Sequence, residues 1–518
     1  MKNLVVLAIS IYMLAIIVGH SESANILAIF PFPGPSQYIL VLPYLKTLAD
    51  RGHNVTVINA FPQKKPIPNF RDISVADIIK LQDEMIESIQ TERNFWQELN
   101  YFSDIVEDIQ LNVLNNKEVQ TLLKSETETF DLVIVETIRS EVLYGFAAHF
   151  NALLIGVSSF GTDVEIDELV GNISPSSYIP SVLSEFTDRM SCMERLKNFV
   201  NNNLQILHTH FIHIPRQKKL YSKYFPHVKV PLEAVRNNFS LMLLNQHFSL
   251  SFPRPYVPSM IQVGGLHISH KPSPLPPDIA DFINGGENGV IYFSMGSNVK
   301  SKNLPKETID VLLKVFASLP QRVLWKFEDE NLAGKPDNVF INKWFPQPDI
   351  LAHPNVKLFI THGGLLSTME AIYHAKPVIG LPVFYDQFLN VARAVKTGFG
   401  LSADLKKLDT QSLRSKIESI LNDKSYAKKA RAISNRYHDQ PIKPMDAAIY
   451  WTEYVLRHKG APHMRVAAQD LNVFQLYCLD SVCMLVTGTI LVFGIVIGLV
   501  VKLLGCALRK PKTKRKFE

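Results

Sequence analysis

A strand-to-helix turn with two glycines constrains the fold of this chain more than any other feature of its sequence. The β-branched and aromatic run VKLFIT ends at His362-Gly363-Gly364, and a helical stretch with few breakers follows. This alternation predicts an α/β unit. The glycines let backbone N–H groups approach an anion, and Ser367 falls in the first helical turn, where the helix dipole favours a phosphate. An HGG sequence alone is more often an ordinary glycine-capped turn, so its neighbours decide the interpretation.

The neighbours of the turn carry the polar and aromatic groups that a nucleotide sugar needs. One carboxylate lies a helical turn beyond Ser367, placed to accept hydrogen bonds from sugar hydroxyls. An Asp-Gln pair and an asparagine follow the next apolar run, PVIGLPVF, so they are expected at the carboxyl end of a strand, where open α/β sheets bind ligands. A tryptophan and a glutamine precede the unit and offer a ring face and an amide to a base or a ribose. These candidates are Glu370, Asp386, Gln387, Asn390, Trp344 and Gln347.

The run FITHGGLLSTMEAIYHAKPVIGLPVFYDQ matches, position for position, the signature of the UDP-glycosyltransferase family and closely resembles its membrane-bound animal members. The resemblance extends over the whole chain, and the general character of the sequence is similar to that of arthropod (insect) members. It implies an α/β fold of the GT-B architecture, with two Rossmann-like lobes whose parallel sheets face a cleft. It also implies that the residues above bind a UDP-sugar, with small residues after the strand VIYFS and a glycine of the HGG turn close to the diphosphate. These further residues are Ser294, Gly296, Ser297 and Gly364.

The same resemblance exposes a departure at the catalytic position. The family's base is a histidine in the first βα turn, oriented by an aspartate at the end of a later strand of the same lobe. Here the turn reads PGPSQY, which places Gln37 at the position of the histidine, and the carboxylate is Glu136. Glutamine cannot accept a proton at any useful pH, and a general base contributes about 10²–10⁴-fold in rate. Two hypotheses stay open: acceptors that are already acidic or nucleophilic, or a direct catalytic role for Glu136.

The resemblance therefore predicts an inverting UDP-glycosyltransferase that moves a hexose to small lipophilic acceptors such as phenols, amines and alcohols, as in detoxification or metabolite conjugation. The similarity to arthropod members favours glucose over glucuronic acid as the transferred sugar, although Arg393 would suit a sugar that carries a carboxylate. No acidic DxD box ends a strand, so no metal and no other cofactor is expected, and the UDP-sugar is a co-substrate. The alternative is a catalytically impaired, membrane-anchored chain that binds a UDP-sugar as the partner of an active relative. A homo- or hetero-oligomer is left open.

Both ends of the chain carry apolar segments that predict a membrane protein of the secretory pathway. Residues 1–23 have the charged, apolar and small-residue regions of a signal peptide, with an uncleaved anchor as the competing interpretation. Residues 481–501 are 21 residues without a charge, and about 20 apolar residues suffice to cross a bilayer as a helix. Residues 502–518 hold seven Lys or Arg and one Glu, which accounts for the whole net charge of +6 and argues against a nucleic-acid partner.

These signals predict a single-pass type I protein of the endoplasmic reticulum membrane, with a luminal catalytic part and a cytosolic tail. Lysines third and fifth from the end of the tail resemble a dilysine retrieval signal. Glycosylation sequons occur at Asn54, Asn172 and Asn238. Asn238 is the favoured site, because Asn54 lies in an apparent strand and a proline follows the serine of the Asn172 sequon.

Alternating strand and helix patterns lie on either side of a proline-rich segment. Its seven prolines argue against regular structure and predict a linker between two lobes. The predicted domains are a signal peptide (1–23), an N-terminal acceptor-binding lobe (24–246), the proline-rich linker (247–285), a C-terminal UDP-sugar-binding lobe (286–445), return helices with a juxtamembrane segment (446–480), a transmembrane helix (481–501) and a cytosolic basic tail (502–518).

Overall fold

A computed structural model of the chain describes residues 23–88 and 93–508. These residues belong to two compact units, one ending at Arg465 and the other beginning at Val466. The predicted signal peptide, apart from Ser23, lies outside the described residues, and so do the last ten residues of the predicted cytosolic tail.

The first unit contains a sheet of seven strands. They are β1 (Asn25–Phe30), β2 (Asn54–Asn59), β3 (Phe70–Ser74), β4 (Leu132–Glu136), β5 (Leu153–Ser158), β6 (Leu241–Leu244) and β7 (Met260–Gln262). Their order across the sheet is β3-β2-β1-β4-β5-β6-β7, and all neighbours are parallel. The strand order reverses between β1 and β4. Such a switch point opens a crevice at the carboxyl ends of the two strands.

A second sheet in the same unit has six strands. They are β8 (Val290–Ser294), β9 (Arg322–Lys326), β10 (Val339–Asn342), β11 (Val356–Thr361), β12 (Val378–Gly380) and β13 (Gly400–Ser402). Their order is β10-β9-β8-β11-β12-β13, again with parallel neighbours only. The switch point of this sheet lies between β8 and β11. Two parallel sheets confirm the predicted pair of α/β lobes.

Helices cover both faces of each sheet, because both faces are apolar. Leu27 and Ile29 of β1 belong to one apolar cluster, while Ile26 and Ala28 belong to another on the opposite face. The longer helices of the first lobe are α1 (Pro35–Asp50), α2 (Ile79–Ser88), α3 (Phe95–Asn115), α4 (Lys117–Lys124), α5 (Gly145–Phe150), α6 (Val164–Leu169), α7 (Cys192–His208), α8 (Ile214–Tyr224) and α9 (Leu232–Arg236). Those that follow are α10 (Pro277–Asn284), α11 (Lys306–Ala317), α12 (Gln347–Ala352), α13 (Leu365–Tyr373), α14 (Gln387–Thr397), α15 (Thr410–Asn422), α16 (Lys424–His438) and α17 (Pro444–Arg457).

The proline-rich segment 247–285 is more ordered than its composition predicts. It supplies β7, the edge strand of the first sheet, and helix α10. The expectation of no regular structure is therefore wrong for these parts. The prolines do not prevent these elements for a physical reason: the three residues of β7 include no proline, and Pro277 stands at the first position of α10, where no backbone donor is needed.

Helix α17 returns from the second lobe to the first, as the resemblance implied. Its Thr452 lies in the first lobe's core, where the Tyr44 hydroxyl hydrogen-bonds to the Thr452 hydroxyl at 2.6 Å. Arg51 donates two hydrogen bonds to the carboxylate of Glu453, at 2.5 and 2.9 Å. The last helix of the unit therefore holds the two lobes in one body.

The second unit contains the short helix α18 (Val473–Leu476) and the long helix α19 (Leu479–Ala507). Helix α19 has a mean hydropathy of 2.7 over its most apolar window and includes the predicted span 481–501. Its 29 residues would extend about 44 Å at 1.5 Å per residue. By length and composition the helix fits a membrane anchor.

Candidate functional site

The switch point between β8 and β11 brings the SMGS and HGG turns into contact. Gly296 adopts a φ of +78°, and a Cβ atom added to it would lie 2.3 Å from Cε1 of His362. A Cβ added to Gly364 would lie 2.5 Å from Nε2 of the same ring. The Ser294 hydroxyl accepts a hydrogen bond from the Gly296 N–H at 3.2 Å. The imidazole is thus enclosed by two glycines, since no other residue lets the backbone approach so closely.

A buried lysine sits beside this imidazole. Lys326 ends β9, and its Nζ donates hydrogen bonds to the Gly296 carbonyl at 2.8 Å and to Glu328 at 2.9 Å. Burial lowers the pKa of His362 to about 4, and Lys326 adds to the effect, so the ring is neutral at physiological pH. The same Nζ lies 5.5 Å from the ring centre of Trp344, which is 57% exposed. Sequence analysis missed Lys326, although a lysine at the carboxyl end of the run RVLWK was a usable signal.

Three of the predicted residues form one hydrogen-bonded group next to the HGG turn. The Gln347 amide donates to the Ser367 hydroxyl at 3.0 Å and to Glu370 Oε2 at 2.7 Å. The other carboxylate oxygen of Glu370 lies 3.0 Å from Nε2 of His267, a residue of the proline-rich segment. The group fixes the Glu370 carboxylate at the base of the crevice.

Gln387 stabilises the turn after β12 by hydrogen bonds to its backbone. The Gln387 Oε1 accepts hydrogen bonds from two backbone N–H groups of the turn, at 2.8 and 3.2 Å. Asn390 donates to Asp386 Oδ2 at 2.8 Å and to the Gly363 carbonyl at 3.1 Å, which ties this turn to the HGG turn. Partial loss of water around the carboxyl raises the pKa of Asp386 to about 6, and the hydrogen bond from Asn390 opposes this rise. The Asp386 carboxyl is therefore mostly ionised at neutral pH.

Tyr385, in the same turn, extends into the first lobe. Its ring centre lies 5.7 Å from that of Phe102 on α3 and 5.5 Å from that of Phe160, which follows β5. Its φ is +55°, a conformation that is strained for a bulky side chain. The two aromatic contacts hold it in place. No motif in the sequence signals this contact between the lobes.

The two predicted catalytic residues lie at the carboxyl ends of β1 and β4: Gln37 is in the first turn of α1, and Glu136 is the last residue of β4. Gln37 Oε1 accepts a hydrogen bond from Ser36 at 2.9 Å. Glu136 is 3% exposed; its Oε1 accepts from Ser159 at 3.2 Å, and its Oε2 has no hydrogen-bond partner among the described residues. Burial raises the pKa of Glu136 to about 8. At neutral pH the carboxyl is therefore mostly protonated, and only its smaller ionised fraction could accept a proton.

Asn298 connects the two switch points across the cleft. The sequence patterns did not predict this residue. Its Nδ2 lies 3.5 Å from the Ser36 hydroxyl, and its Oδ1 accepts from Gln82 on α2 at 3.4 Å. A Cβ atom on Gly34 would lie 2.8 Å from the same Oδ1. The Ser297 hydroxyl also points to Asn298, at 3.4 Å. The turn that follows β8 therefore meets the turn that follows β1.

A cavity of about 870 Å³, here called the main cavity, lies between the carboxyl ends of the two sheets. It is lined by Gln37 and by the predicted UDP-sugar residues except Asn390, which lines a small cavity with Arg393; Glu136 is not among the lining residues. The first-lobe wall also carries the polar residues Gln82, Arg93 and Glu98. Otherwise this wall is mainly apolar and aromatic, as in pockets for lipophilic ligands. Its apolar residues include Phe32, Ile39, Phe95, Tyr101, Phe102, Ile105, Ile138 and Phe160.

The three sequons differ in exposure. Asn238 and Asn54 are exposed, and Asn54 donates a hydrogen bond to Asn25 at 3.0 Å. Asn172 is 8% exposed, and its Nδ2 donates to Asp167 at 2.9 Å and to the Pro255 carbonyl at 3.1 Å. Both amide hydrogens are occupied and a glycan has no space there, so the structure argues against Asn172 as a glycosylation site.

Two lobes with parallel sheets and a cavity at their switch points define the GT-B fold. Solved glycosyltransferase structures have the same fold. The calicheamicin glycosyltransferase CalG4 aligns with a TM-score of 0.54 and 17% identity over 84% of this chain and 99% of that protein. The glycotransferase of kitacinnamycin aligns with a TM-score of 0.54 and 16% identity over 83% and 98%.

Sequence relatives then identify the family. The model of the family described as "UDP-glucoronosyl and UDP-glucosyl transferase" matches residues 36–515. UDP-glucosyltransferase 2 of Dactylopius coccus is 37% identical over 486 residues, which cover 91% of each chain. UDP-glucuronosyltransferase 2B1 of Rattus norvegicus is 34% identical over 476 residues, 86% of this chain and 87% of the relative. The chain belongs to this family and is a UDP-glycosyltransferase, which takes a UDP-sugar donor and an acceptor.

We expect Gly296→Ala to weaken UDP binding by about tenfold or more, equivalent to about 1.4 kcal/mol, because the added Cβ must displace His362. Gly334→Ala is the matched control, since Gly334 has a similar φ of +74° but its Cβ would lie 4.0 Å from the nearest side-chain atom. Calorimetric titration of the purified full chain with UDP gives the affinities. Equal losses in the two variants would show that backbone strain, and not the clash, is responsible.

A second prediction concerns Glu136 and pH. The folded state raises its pKa from 4.5 to about 8, so folding takes up a proton between these values and stability falls as pH rises through this window. The slope is at most about 1.4 kcal/mol per pH unit. Glu136→Gln removes this slope, so we expect its stability relative to wild type to rise from pH 5 to pH 8 and level off above.

Denaturant unfolding of both chains at several pH values tests this expectation. Glu307→Gln, at an exposed position of α11, is the control for a general loss of negative charge. If wild type and Glu136→Gln give parallel curves, the Glu136 carboxyl is ionised in the folded protein.

Proposed function

We propose that this chain is an inverting hexosyltransferase that moves glucose, in preference to glucuronic acid, from UDP to small lipophilic acceptors that are already acidic or nucleophilic. The observation that carries the proposal is the contrast between the two walls of the main cavity. Fixed polar groups line the second-lobe wall, whereas the first-lobe wall is mainly apolar and has Gln37 at the position of the family's base. Phenols, carboxylic acids, thiols and amines are the acceptors that suit such a cavity.

The second-lobe wall would hold the donor. Trp344, which is 57% exposed, would offer a ring face to uracil, and the Gln347 amide, three residues further on, lines the same cavity. The N-terminus of α13 and the SMGS turn would face the diphosphate with backbone N–H groups. Lys326 supplies a positive charge next to Gly296, and the neutral His362 supplies a hydrogen-bond donor. These groups are fixed before the reaction, so they would stabilise the departing UDP without a metal or another cofactor.

The reaction would proceed in one displacement. The acceptor atom forms a bond to the anomeric carbon on the face opposite to UDP, and the bond from that carbon to the β-phosphate oxygen breaks. The electron pair of the broken bond stays with UDP. A carboxylate or phenolate acceptor brings no proton to this step, while an amine or thiol releases one to solvent. A base at position 37 is therefore unnecessary for the proposed acceptors.

Two observations favour glucose. Among the relatives, the one from Dactylopius coccus at 37% identity is named a glucosyltransferase, whereas the rat glucuronosyltransferase is 34% identical. Arg393, the cation considered for a sugar carboxylate, lines the neighbouring small cavity, where it lies 5.2 Å from the Phe252 ring and 3.4 Å from Asn390 Oδ1. Asp386 and Gln387 line the main cavity and suit the hydroxyls of either sugar.

We also propose that α19 crosses the membrane of the endoplasmic reticulum, with the catalytic unit in the lumen and the basic tail in the cytosol. The length and apolar composition of α19 support the span. The basic residues that follow it support the orientation, because Lys and Arg are enriched on the cytosolic side. The domain boundaries given above form part of this proposal.

Transfer assays on microsomes that contain the full chain test the proposed activity. We expect glucose transfer from UDP-glucose to phenols, carboxylic acids and amines, little transfer from UDP-glucuronic acid, and little transfer to aliphatic alcohols. Gln37→His should raise transfer to an aliphatic alcohol by about 10²-fold, the lower end of a general base's contribution. Gln82→His is the matched control, because Gln82 is another glutamine of the cavity wall.

The outcomes separate the alternatives. An unchanged rate on alcohols in Gln37→His would contradict the explanation based on the missing base. UDP binding without transfer from either donor would support the alternative function, a catalytically impaired, membrane-anchored partner of an active relative. The glutamine at position 37 is the reason for considering that alternative.

Glycan mapping tests the luminal orientation. We expect Asn238→Gln to remove one glycosidase-sensitive shift in electrophoretic mobility, because Asn238 is exposed. Asn172→Gln should leave the mobility unchanged, since Asn172 is buried and hydrogen-bonded. A wild-type chain that is insensitive to glycosidase, expressed in insect cells, would count against a luminal Asn238.

A further inference from the structure

Ser159 lies between the buried carboxyl of Glu136 and the main cavity. It is the first residue after β5, the strand that pairs with β4, and Glu136 ends β4 opposite Val157. The Ser159 hydroxyl donates a hydrogen bond to Glu136 Oε1 at 3.2 Å, and the Ser159 carbonyl accepts one from Asn245 at 2.9 Å. Ser159 lines the main cavity, whereas Glu136 does not. The serine therefore connects the carboxyl with the space that an acceptor would occupy.

The Glu136 carboxyl has no ion-pair partner in the described part of the chain, and its Oε2 atom accepts no hydrogen bond there. The charged residues that follow β4 form ion pairs of their own, Arg139 with Glu165 and Glu141 with His213. Burial raises the pKa of Glu136 to about 8, and its one side-chain hydrogen bond opposes this rise. A general base is most effective when its pKa lies near the working pH, so the ionised form of this carboxyl is well suited to accept a proton.

We propose that Ser159 relays the proton of an acceptor hydroxyl to Glu136. The inference rests on the hexosyl transfer proposed above. As the acceptor oxygen bonds to the anomeric carbon, its proton passes to the Ser159 oxygen, and the proton of the Ser159 hydroxyl passes to Glu136 Oε1 along their hydrogen bond. The bond from the anomeric carbon to the β-phosphate oxygen breaks, and its electron pair leaves with UDP. Glu136 ends the step neutral and later returns its proton to solvent through Ser159.

The two residues divide between them the work of a single base. Gln37 lines the main cavity but cannot take up a proton, and its Oε1 accepts a hydrogen bond from Ser36. Glu136 can take up a proton but does not line the cavity. Ser159 lines the cavity and already donates to the carboxyl, so each end of the relay has the partner that it needs.

The relay makes transfer to alcohols depend on pH in a defined direction. Only ionised Glu136 can take the proton, and its pKa of about 8 leaves about one carboxyl in ten ionised at pH 7. The ionised fraction rises by about tenfold per pH unit below pH 8 and levels off above. Aliphatic alcohols therefore become acceptors at alkaline pH, while the acidic and nucleophilic acceptors proposed above need no relay at neutral pH.

Transfer rates from UDP-glucose between about pH 6 and about pH 9.5, on microsomes that contain the full chain, test the relay. Each variant receives an aliphatic alcohol and, separately, a carboxylic acid that is ionised throughout this range. The carboxylate brings no proton to the step. The ratio of the two kcat/KM values therefore cancels the effects of pH on folding and on the donor wall, including the ionisation of Asp386 near pH 6.

We expect this ratio, alcohol over carboxylate, to rise by about tenfold per pH unit in wild type and to level off above about pH 8. Ser159→Ala and Glu136→Gln should each lower it at pH 9 by about 10²-fold and remove the rise. The double variant should be no worse than either single variant, because the two residues act as a unit. Ser159→Thr keeps a hydroxyl and should keep the rise.

Ser158→Ala is the matched control for the loss of a serine hydroxyl. Ser158 is buried, and its hydroxyl has no hydrogen-bond partner among the described residues, so we expect the wild-type profile. A ratio that does not change with pH in wild type overturns the relay. A Ser159→Ala chain that keeps the full rise overturns it as well, because the proton would then reach its acceptor without the serine.

Transfer to the carboxylic acid reports on the proposed function separately. A chain that transfers glucose to the acid but not to the alcohol at any pH refutes the relay alone. A chain that transfers to neither acceptor refutes the proposed function, and the relay with it.

Discussion

Close packing of the His362 ring between Gly296 and Gly364 is the constraint on which the second-lobe wall of the main cavity depends. It brings the turns after β8 and β11 together at the point where the strand order of the second sheet reverses. The same contact places the Gly296 carbonyl where Lys326 can donate to it, and burial beside that lysine keeps the imidazole neutral. A side chain on either glycine would separate the turns, and the backbone donors of α13 would then no longer face the same crevice.

Residues next to the second-lobe wall also contact the first lobe. Asn298, one residue beyond the SMGS turn, touches the first βα turn of the other lobe, and Tyr385, next to Asp386, packs between Phe102 and Phe160. Both contacts begin at residues adjacent to the main cavity. The turns of the second lobe and the first-lobe wall of the main cavity are therefore in direct contact.

Much of this arrangement is predictable from the sequence because parallel strands that are buried on both faces have long apolar runs, and such runs end where ligands bind. The HGG and SMGS turns and the Asp-Gln pair were found in this way. Asn298 was not, since a single polar residue after a strand has no motif and gains meaning only from its neighbours in space. Lys326 was overlooked, although it ends the apolar run of β9. Strand β7 was missed because prolines hide a short edge strand. The strained φ of Tyr385 has no local signal, because contacts from another lobe impose it.

Helix α7 shows a different limit of sequence patterns. Periodicity predicts a helix and divides its residues into two faces, but the assignment of the apolar face to the interior assumes that water is outside. The amides and hydroxyls of Asn198, Gln205 and Thr209 find partners only in the first lobe, so the polar face must turn inward whatever the solvent. An outward apolar face is costly in water. The orientation of α7 is therefore set by the hydrogen bonds of its polar face and not by the apolar periodicity of its sequence.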